Sequence, residues 1–175
     1  VAEIQQFDCG NKANARFPNQ QKMIVGKPLF QKVVDTVESY LSAKQLPLVK
    51  FNIEIKSKPE WDNGYTPSVH SFAKIVVDFI HRQKHPAMFC VQSFDARALE
   101  EVHTLDSTIA TAWLFALPNG WKLGFKALSF RPTIMSPNYL VTRKANVLQA
   151  HRLGISVIPW TVNEEKEMKR LIALK

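Results

Sequence analysis

No stretch of this sequence approaches the roughly 20 consecutive apolar residues that a membrane-crossing helix requires, so nothing in it reads as a bilayer span. Nor does a basic segment followed by an apolar core stand at its start, as an export signal would. The chain opens at Val1 in VAEIQQFDC, without methionine, and this opening reads as the middle of a longer chain. Any export signal is then expected upstream, which leaves localisation open, periplasmic or secreted being the expectation where such a signal exists. Cysteine is scarce as well, and neither of the two has metal-ligand spacing. Cys90 lies in the apolar run MFCV and reads as a small core residue, whereas Cys9 lies in a polar, turn-like stretch. No glycine-rich phosphate loop joins a strand to its helix, which argues against a dinucleotide fold or a P-loop.

Clusters of one charge are also missing. The 23 Lys and Arg against 15 Asp and Glu give a net charge of +8, and a nucleic-acid partner would need those cations gathered on one patch. They are scattered instead, with Lys166, Lys169 and Arg170 balanced by Glu164, Glu165 and Glu167. The pattern is that of a solvated basic surface, its functional counterpart being a general attraction for anionic substrates or phospholipid head groups. No nucleic-acid partner is expected.

What is present is an ordinary globular composition, 46% hydrophobic over 175 residues, enough for one sizeable core. After a polar opening (10–21), Pro28 starts a helical pattern through Leu29, Phe30, Val33, Val34, Val37, Tyr40 and Leu41. A strand-like run over 50–56 follows, then a turn-rich loop (59–64) and a helix with Thr66 as its cap and Pro67 at its first position. That helix turns Val69, Phe72, Ala73, Val76 and Ile80 to the core. Further strands are expected at 87–93, 111–117, 132–136 and 155–160. Helices are expected at 96–103, capped by Asp95, at 142–153, ended by a left-handed Gly154, and after Asn163. Strands alternating with helices mean βα units and parallel pairing, with no internal domain boundary over residues 1–175. Absence of the glycine-rich loop favours a closed barrel over a doubly wound sheet.

The strand 51–56 carries the most chemistry. Side chains alternate, so Asn52, Glu54 and Lys56 share one face and Phe51, Ile53 and Ile55 the other. With crossover helices covering the apolar face, the polar face lines a barrel interior, and its carboxyl end is where barrel active sites lie. There Glu54 can hold a hard divalent cation and Lys56 can neutralise a phosphoryl oxygen; the alternative is a plain Glu–Lys pair within the lumen. Ser93, Phe94 and Trp160 stand at other strand ends, the tryptophan facing the barrel mouth or serving as an ordinary rim aromatic.

NIEIK at 52–56, VQSFD at 91–95, ISVIPWTVN at 155–163, and the DCG and RFPNQQ segments around Cys9 and Phe17 resemble, in this order, bacterial glycerophosphodiester phosphodiesterases. The likeness covers nearly the whole chain. It implies an α/β fold of the (β/α)8 TIM-barrel type, here incomplete, with N-terminal strands and the last strand missing and a sheet edge left open. It implies hydrolysis of deacylated phospholipids, such as glycerophosphocholine or glycerophosphoethanolamine, to an alcohol and glycerol phosphate, with a bound divalent metal, Ca2+ or Mg2+. On the matching motifs, Glu54 takes the place of a metal-binding carboxylate, Lys56 that of the active-site lysine, Trp160 that of the aromatic wall beside the glycerol moiety, and Ser93 and Phe94 adjoin the substrate. The partner implied is a small-molecule glycerophosphodiester; oligomeric state is left open.

Departures from the family pattern qualify this. The HRG, ELD, HD and DGIITD strings that resemblance calls for do not occur, and His70, His81, His85, His103 and His151 fall on expected helices or their ends instead of at strand ends. General acid and base groups are therefore expected to be lacking, so this chain alone should be inactive and the full-length protein active. Two other expectations stand beside it: a lysophospholipid or phosphoinositide phosphodiesterase of the same barrel superfamily, and a non-catalytic barrel relic that binds.

Overall fold

The computed structural model describes residues 2–124 and 126–175. They fall into two compact units, Val1–Leu48 and Val49–Lys175.

In the first unit, α1 (Ala2–Gln5) leads to a loop closed by an antiparallel bridge between Asp8 and Gly26, and α2 (Phe30–Ala43) follows. Helix α2 ends without glycine. Gln45 takes the left-handed conformation at φ 53°, and its N–H and that of Leu46 reach back to the carbonyls of Ser42 and Leu41. That is the paired C-terminal motif in which glycine is usual, because a Cβ crowds the carbonyl there.

The second unit repeats strand and helix. The elements are β1 (Phe51–Glu54), α3 (Val69–His81), β2 (Phe89–Ser93), α4 (Ala96–Leu105), β3 (Ala110–Phe115), α5 (Gly120–Leu123), β4 (Ile134–Pro137), α6 (Lys144–Arg152), β5 (Ser156–Val157) and α7 (Glu165–Ile172). All neighbouring strands pair in parallel, in the order β1-β2-β3-β4-β5. Sequence order equals spatial order. Such a run of consecutive βα units is the α/β arrangement of a (β/α) barrel, seen here over five strands.

β3, ATAWLF, is buried along nearly its whole length because neighbours flank it on both edges. β1 is buried less and pairs only with β2 among the described residues. Its two faces separate as expected: Phe51 stacks on Phe89, which meets Phe79 of α3 edge-on, while Asn52 Nδ2 donates to Gln92 Oε1 on the opposite face. Helices α3 and α4 lie against each other, with Ala73, Ile80, Ala98, Leu99 and Val102 fully buried. Each buried Leu or Ile removes enough apolar surface from water to contribute about 1.5–3 kcal/mol.

Several boundaries differ from expectation. The cap of α3 is Ser68, whose Oγ accepts from the Ser71 N–H at 3.3 Å. Thr66 is taken by the preceding turn, where its hydroxyl and N–H both donate to the Trp61 carbonyl. Thr142 likewise does not open α6; it is buried and donates to the Asn138 carbonyl, ending a 3₁₀ turn over Tyr139–Val141. The cap of α7 is Glu164 and not Asn163. Gly154 does take φ 72°, as the end of α6 requires. The expected strand 155–160 is regular only over Ser156–Val157, yet Ser156, Ile158 and Trp160 donate in turn to the carbonyls of Thr133, Met135 and Pro137 along the neighbouring strand. Pro159, lacking an N–H, spoils the regular pattern without ending the alignment with β4.

Candidate active site

At the carboxyl end of β1, Glu54 and Lys56 point the same way because they are two residues apart. Lys56 Nζ lies 2.7 Å from Glu54 Oε1. The Lys56 side chain is 70% exposed and that of Glu54 25%, so in this chain the pair opens onto solvent. Between them Ile55 is buried and its N–H donates to Gln92 O, which holds the strand end against β2.

Beside the pair lies a cleft of about 610 Å³, walled by Lys58, Trp61, Phe94, Asp95 and Trp113 together with Glu54 and Lys56. Lys58 Nζ sits 4.6 Å from the centre of the Trp61 ring. Phe94 meets Trp160 edge-on, ring centres 5.4 Å apart, so the ends of the second and fifth strands come together as an aromatic wall. The Trp160 indole N–H is committed to the Ser136 carbonyl, 2.9 Å away, which fixes the ring.

Ser93 is not brought to the cleft surface. It is fully buried, its hydroxyl donates to the Ile55 carbonyl at 2.7 Å and accepts from the Asp95 N–H. Ser136 repeats the device at the end of β4, donating to Ile158 O at 2.7 Å. Strand ends diverge as a sheet twists, and each serine bridges the carbonyl left without a ladder partner. Ser93, expected beside the substrate, is thus found as a tie between strands, buried and with its hydroxyl engaged by Ile55 O and the Asp95 N–H.

Sequence reasoning assigned Asp95 only a capping role. It does cap α4, accepting from the Arg97 N–H at 3.1 Å. Its carboxylate also accepts from the Ser57 hydroxyl and from the Arg97 guanidinium, which extends to Asp62 in the loop after β1. Burial pushes the Asp95 carboxyl up, but the hydrogen bonds from Arg97 and Ser57 together outweigh it and hold it below the usual carboxylate range. The same contacts raise Arg97. SFDAR hints at the cap; nothing in sequence links Asp62 or Ser57 to it.

The five histidines stay on the helices and turns. His70 pairs with Glu101, His81 with Asp106, and His103 stacks on Phe130. Among the described residues none of the histidines lines the cleft. The described residues also contain no group of three His, Cys, Asp or Glu able to hold a metal ion. A hard divalent cation wants six or more oxygens, or an octahedron filled partly by water, and Glu54 with an already committed Asp95 does not supply that set. The residues described do not by themselves make a metal centre.

Five parallel strands in sequence order, with acidic, basic and aromatic side chains gathered at their carboxyl ends, define a barrel of the (β/α) class. The sequence profile of the glycerophosphoryl diester phosphodiesterase family matches residues 1–175, and the chain belongs to that family. A glycerophosphodiester phosphodiesterase of Bacillus subtilis (strain 168) is 25% identical over 98% of this chain. A Silicibacter pomeroyi DSS-3 protein assigned as a glycerophosphoryl diester phosphodiesterase superposes with a TM-score of 0.79 at 25% identity over 99% of the chain. A phosphodiesterase of Oleispira antarctica, solved with the product sn-glycerol-3-phosphate, shares the fold at a TM-score of 0.65 and 18% identity, over 99% of this chain and 62% of its own. The chain spans 57% of the length of the Bacillus relative and 61% of the Silicibacter chain.

Proposed function

We propose that the whole protein hydrolyses glycerophosphodiesters, the deacylated forms of phospholipids, to an alcohol and glycerol phosphate, with Glu54 and Lys56 among its catalytic residues. The observation that carries this is the Glu54–Lys56 pair at the open end of β1 in a chain matched throughout by the phosphodiesterase family. A phosphodiester gathers negative charge on its non-bridging oxygens as it is attacked. An ammonium placed there stabilises the transition state more than the ground state. The Lys56 stem is exposed enough for Nζ to leave Glu54 and meet a phosphoryl oxygen. Phe94 and Trp160 form the wall against the glycerol moiety. Glu54 offers one oxygen toward a Ca2+ or Mg2+ ion, a ligand set that the described residues do not complete. For this reason, and because no described histidine reaches the cleft, the 175-residue chain alone is expected to show no diesterase turnover.

A second reading draws on the cleft itself. Pro59, Trp61, Phe94, Ala96 and Trp113 present mainly apolar surface next to the charged pair, which suits a substrate with an apolar chain, such as a lysophospholipid. One assay separates the readings. The whole protein is incubated with glycerophosphocholine, glycerophosphoethanolamine and lysophosphatidylcholine, with and without chelator, and phosphate-containing products are resolved. Release of glycerol phosphate from the first two, abolished by chelator, is expected. Turnover of the lysophospholipid alone favours the second reading, and no turnover of any substrate leaves a barrel that only binds.

A further inference from the structure

Against the expectation of evenly scattered cations, the segment 9–34 holds Lys12, Arg16, Lys22, Lys27 and Lys32 and no carboxylate. Its neck is closed. The Asp8 carboxylate accepts from the N–H groups of Gly10, Asn11 and Val25, and the Cys9 N–H donates to Val25 O. Those hydrogen bonds, led by the one from Gly10, hold Asp8 below the usual carboxylate range, so it stays charged and keeps the loop shut. Beyond the neck, Lys12 and Lys22 face one cup of about 380 Å³ together with Asn14, Phe17 and Gln20. The Arg16 guanidinium lies 5.9 Å from the centre of the Phe17 ring. Phe17, Met23 and Ile24 stand out from the loop, Ile24 being 82% exposed.

We propose that this loop docks the protein on an anionic phospholipid surface. Three cations around an exposed aromatic ring, with no acid among them, match a surface that is negative at its head groups and apolar just beneath. The long lysine and arginine stems reach the phosphate layer while Phe17 and Ile24 enter the acyl boundary. The cup between Lys12 and Lys22 takes one lipid phosphate. A solvated basic face would carry mixed charge and few apolar groups, and this loop has neither property. The docking does not rest on the hydrolase reading.

The test is sedimentation of the whole protein with vesicles of phosphatidylcholine alone and with about 30% phosphatidylglycerol added, enough for a surface potential of the physiological order, at low and high salt. Retention is expected only on the anionic vesicles, falling with salt. Each neutralised cation should weaken partitioning about fivefold, so the triple variant Lys12→Gln, Arg16→Gln, Lys22→Gln should lose on the order of a hundredfold. Ile24→Asp should release the chain at unchanged charge on the three basic positions, and Lys166→Gln with Lys169→Gln, on α7, should leave retention intact. Circular dichroism confirms that each variant is folded as the parent. Equal binding to both vesicle types, full retention of the triple variant, undiminished retention of Ile24→Asp, or displacement from vesicles by duplex DNA in preference to added phosphatidylglycerol would each overturn the proposal.

Discussion

Ser57 Oγ donates to Asp95 Oδ2 across 2.9 Å, joining the residue that leaves β1 to the residue that opens α4. Because Arg97 carries the link on to Asp62, two βα loops that wall the same cleft are held by one carboxylate. Asp95→Ala removes the cap and leaves Ser57 and Arg97 without their acceptor. Loss of the cap alone costs about 0.5–2 kcal/mol. Asp95→Asn keeps an acceptor for the Arg97 N–H and should cost less. Urea unfolding of the two variants measures the order; equal stability of Asp95→Ala and the parent would remove the network from the account of the cleft.

Asp106 gives the chain a pH dependence of definite sign. Hydrogen bonds from the Thr108 hydroxyl, then from His81, hold its carboxyl down at about 2, against roughly 3.9 in an unfolded chain. A folded value lower than the unfolded one means stability that is fully present above about pH 4 and is lost as the pH falls toward 2. Asp95, also depressed, acts in the same direction. The urea midpoint should therefore drop between pH 5 and pH 3, and Asp106→Asn should flatten that drop while lowering the midpoint at pH 7. A parent midpoint that rises on acidification contradicts the assignment.

The order of elements and the polar face of β1 were legible in sequence because alternation and helical spacing are local properties. So were the cap at Asp95 and the left-handed Gly154. What was not legible came from competition between neighbours. Thr66 is an acceptable cap in isolation, and the turn around Trp61 removes it from that role by taking its hydroxyl. Ser93 stands in a strand end that reads as ligand-facing, but its oxygen is drawn to a carbonyl of the adjacent strand 38 residues away in sequence. Arg97 and Asp62 are 35 residues apart and meet only because β1 and β2 pair. Long-range partners of this kind leave no periodicity to read.

Gln45 is a position where the structure asks for a different residue. Its φ of 53° crowds the Cβ against the carbonyl, at a cost of about 1–2 kcal/mol that glycine avoids. Gln45→Gly makes the unfolded chain more flexible, which offsets part of the gain. A net stabilisation of about 0.5–1 kcal/mol is expected, read as a higher thermal midpoint. A lower midpoint would mean that the Gln45 side chain contributes more than its backbone strain costs.

Glu54→Gln keeps the size of the side chain and removes its charge. If Glu54 supplies a cation ligand in the whole protein, calcium or magnesium affinity measured by calorimetry and glycerophosphodiester turnover should fall together. Stability of the 175-residue chain should move little, because there the pair with Lys56 is open to solvent and such pairs contribute about 0–1 kcal/mol. Unaltered affinity with lost turnover would move Glu54 from ligand to another catalytic role, and unaltered turnover at limiting metal would remove it from the site.

Lys56→Met separates a catalytic cation from a structural one. The methionine retains most of the stem and deletes the charge, so turnover by the whole protein should fall about 10²-fold or more, the scale of losing one group that stabilises a developing oxyanion. The structure sharpens the stability side of the comparison. Were the pair sealed in a lumen, losing the lysine would strand a buried carboxylate and cost about 3–5 kcal/mol. In this chain, with Glu54 25% exposed and Lys56 70% exposed, water can solvate the remaining carboxylate. The thermal midpoint should hold while turnover collapses. A fall in the midpoint with turnover per folded molecule preserved would show that Lys56 serves the fold and that some other cation meets the phosphate.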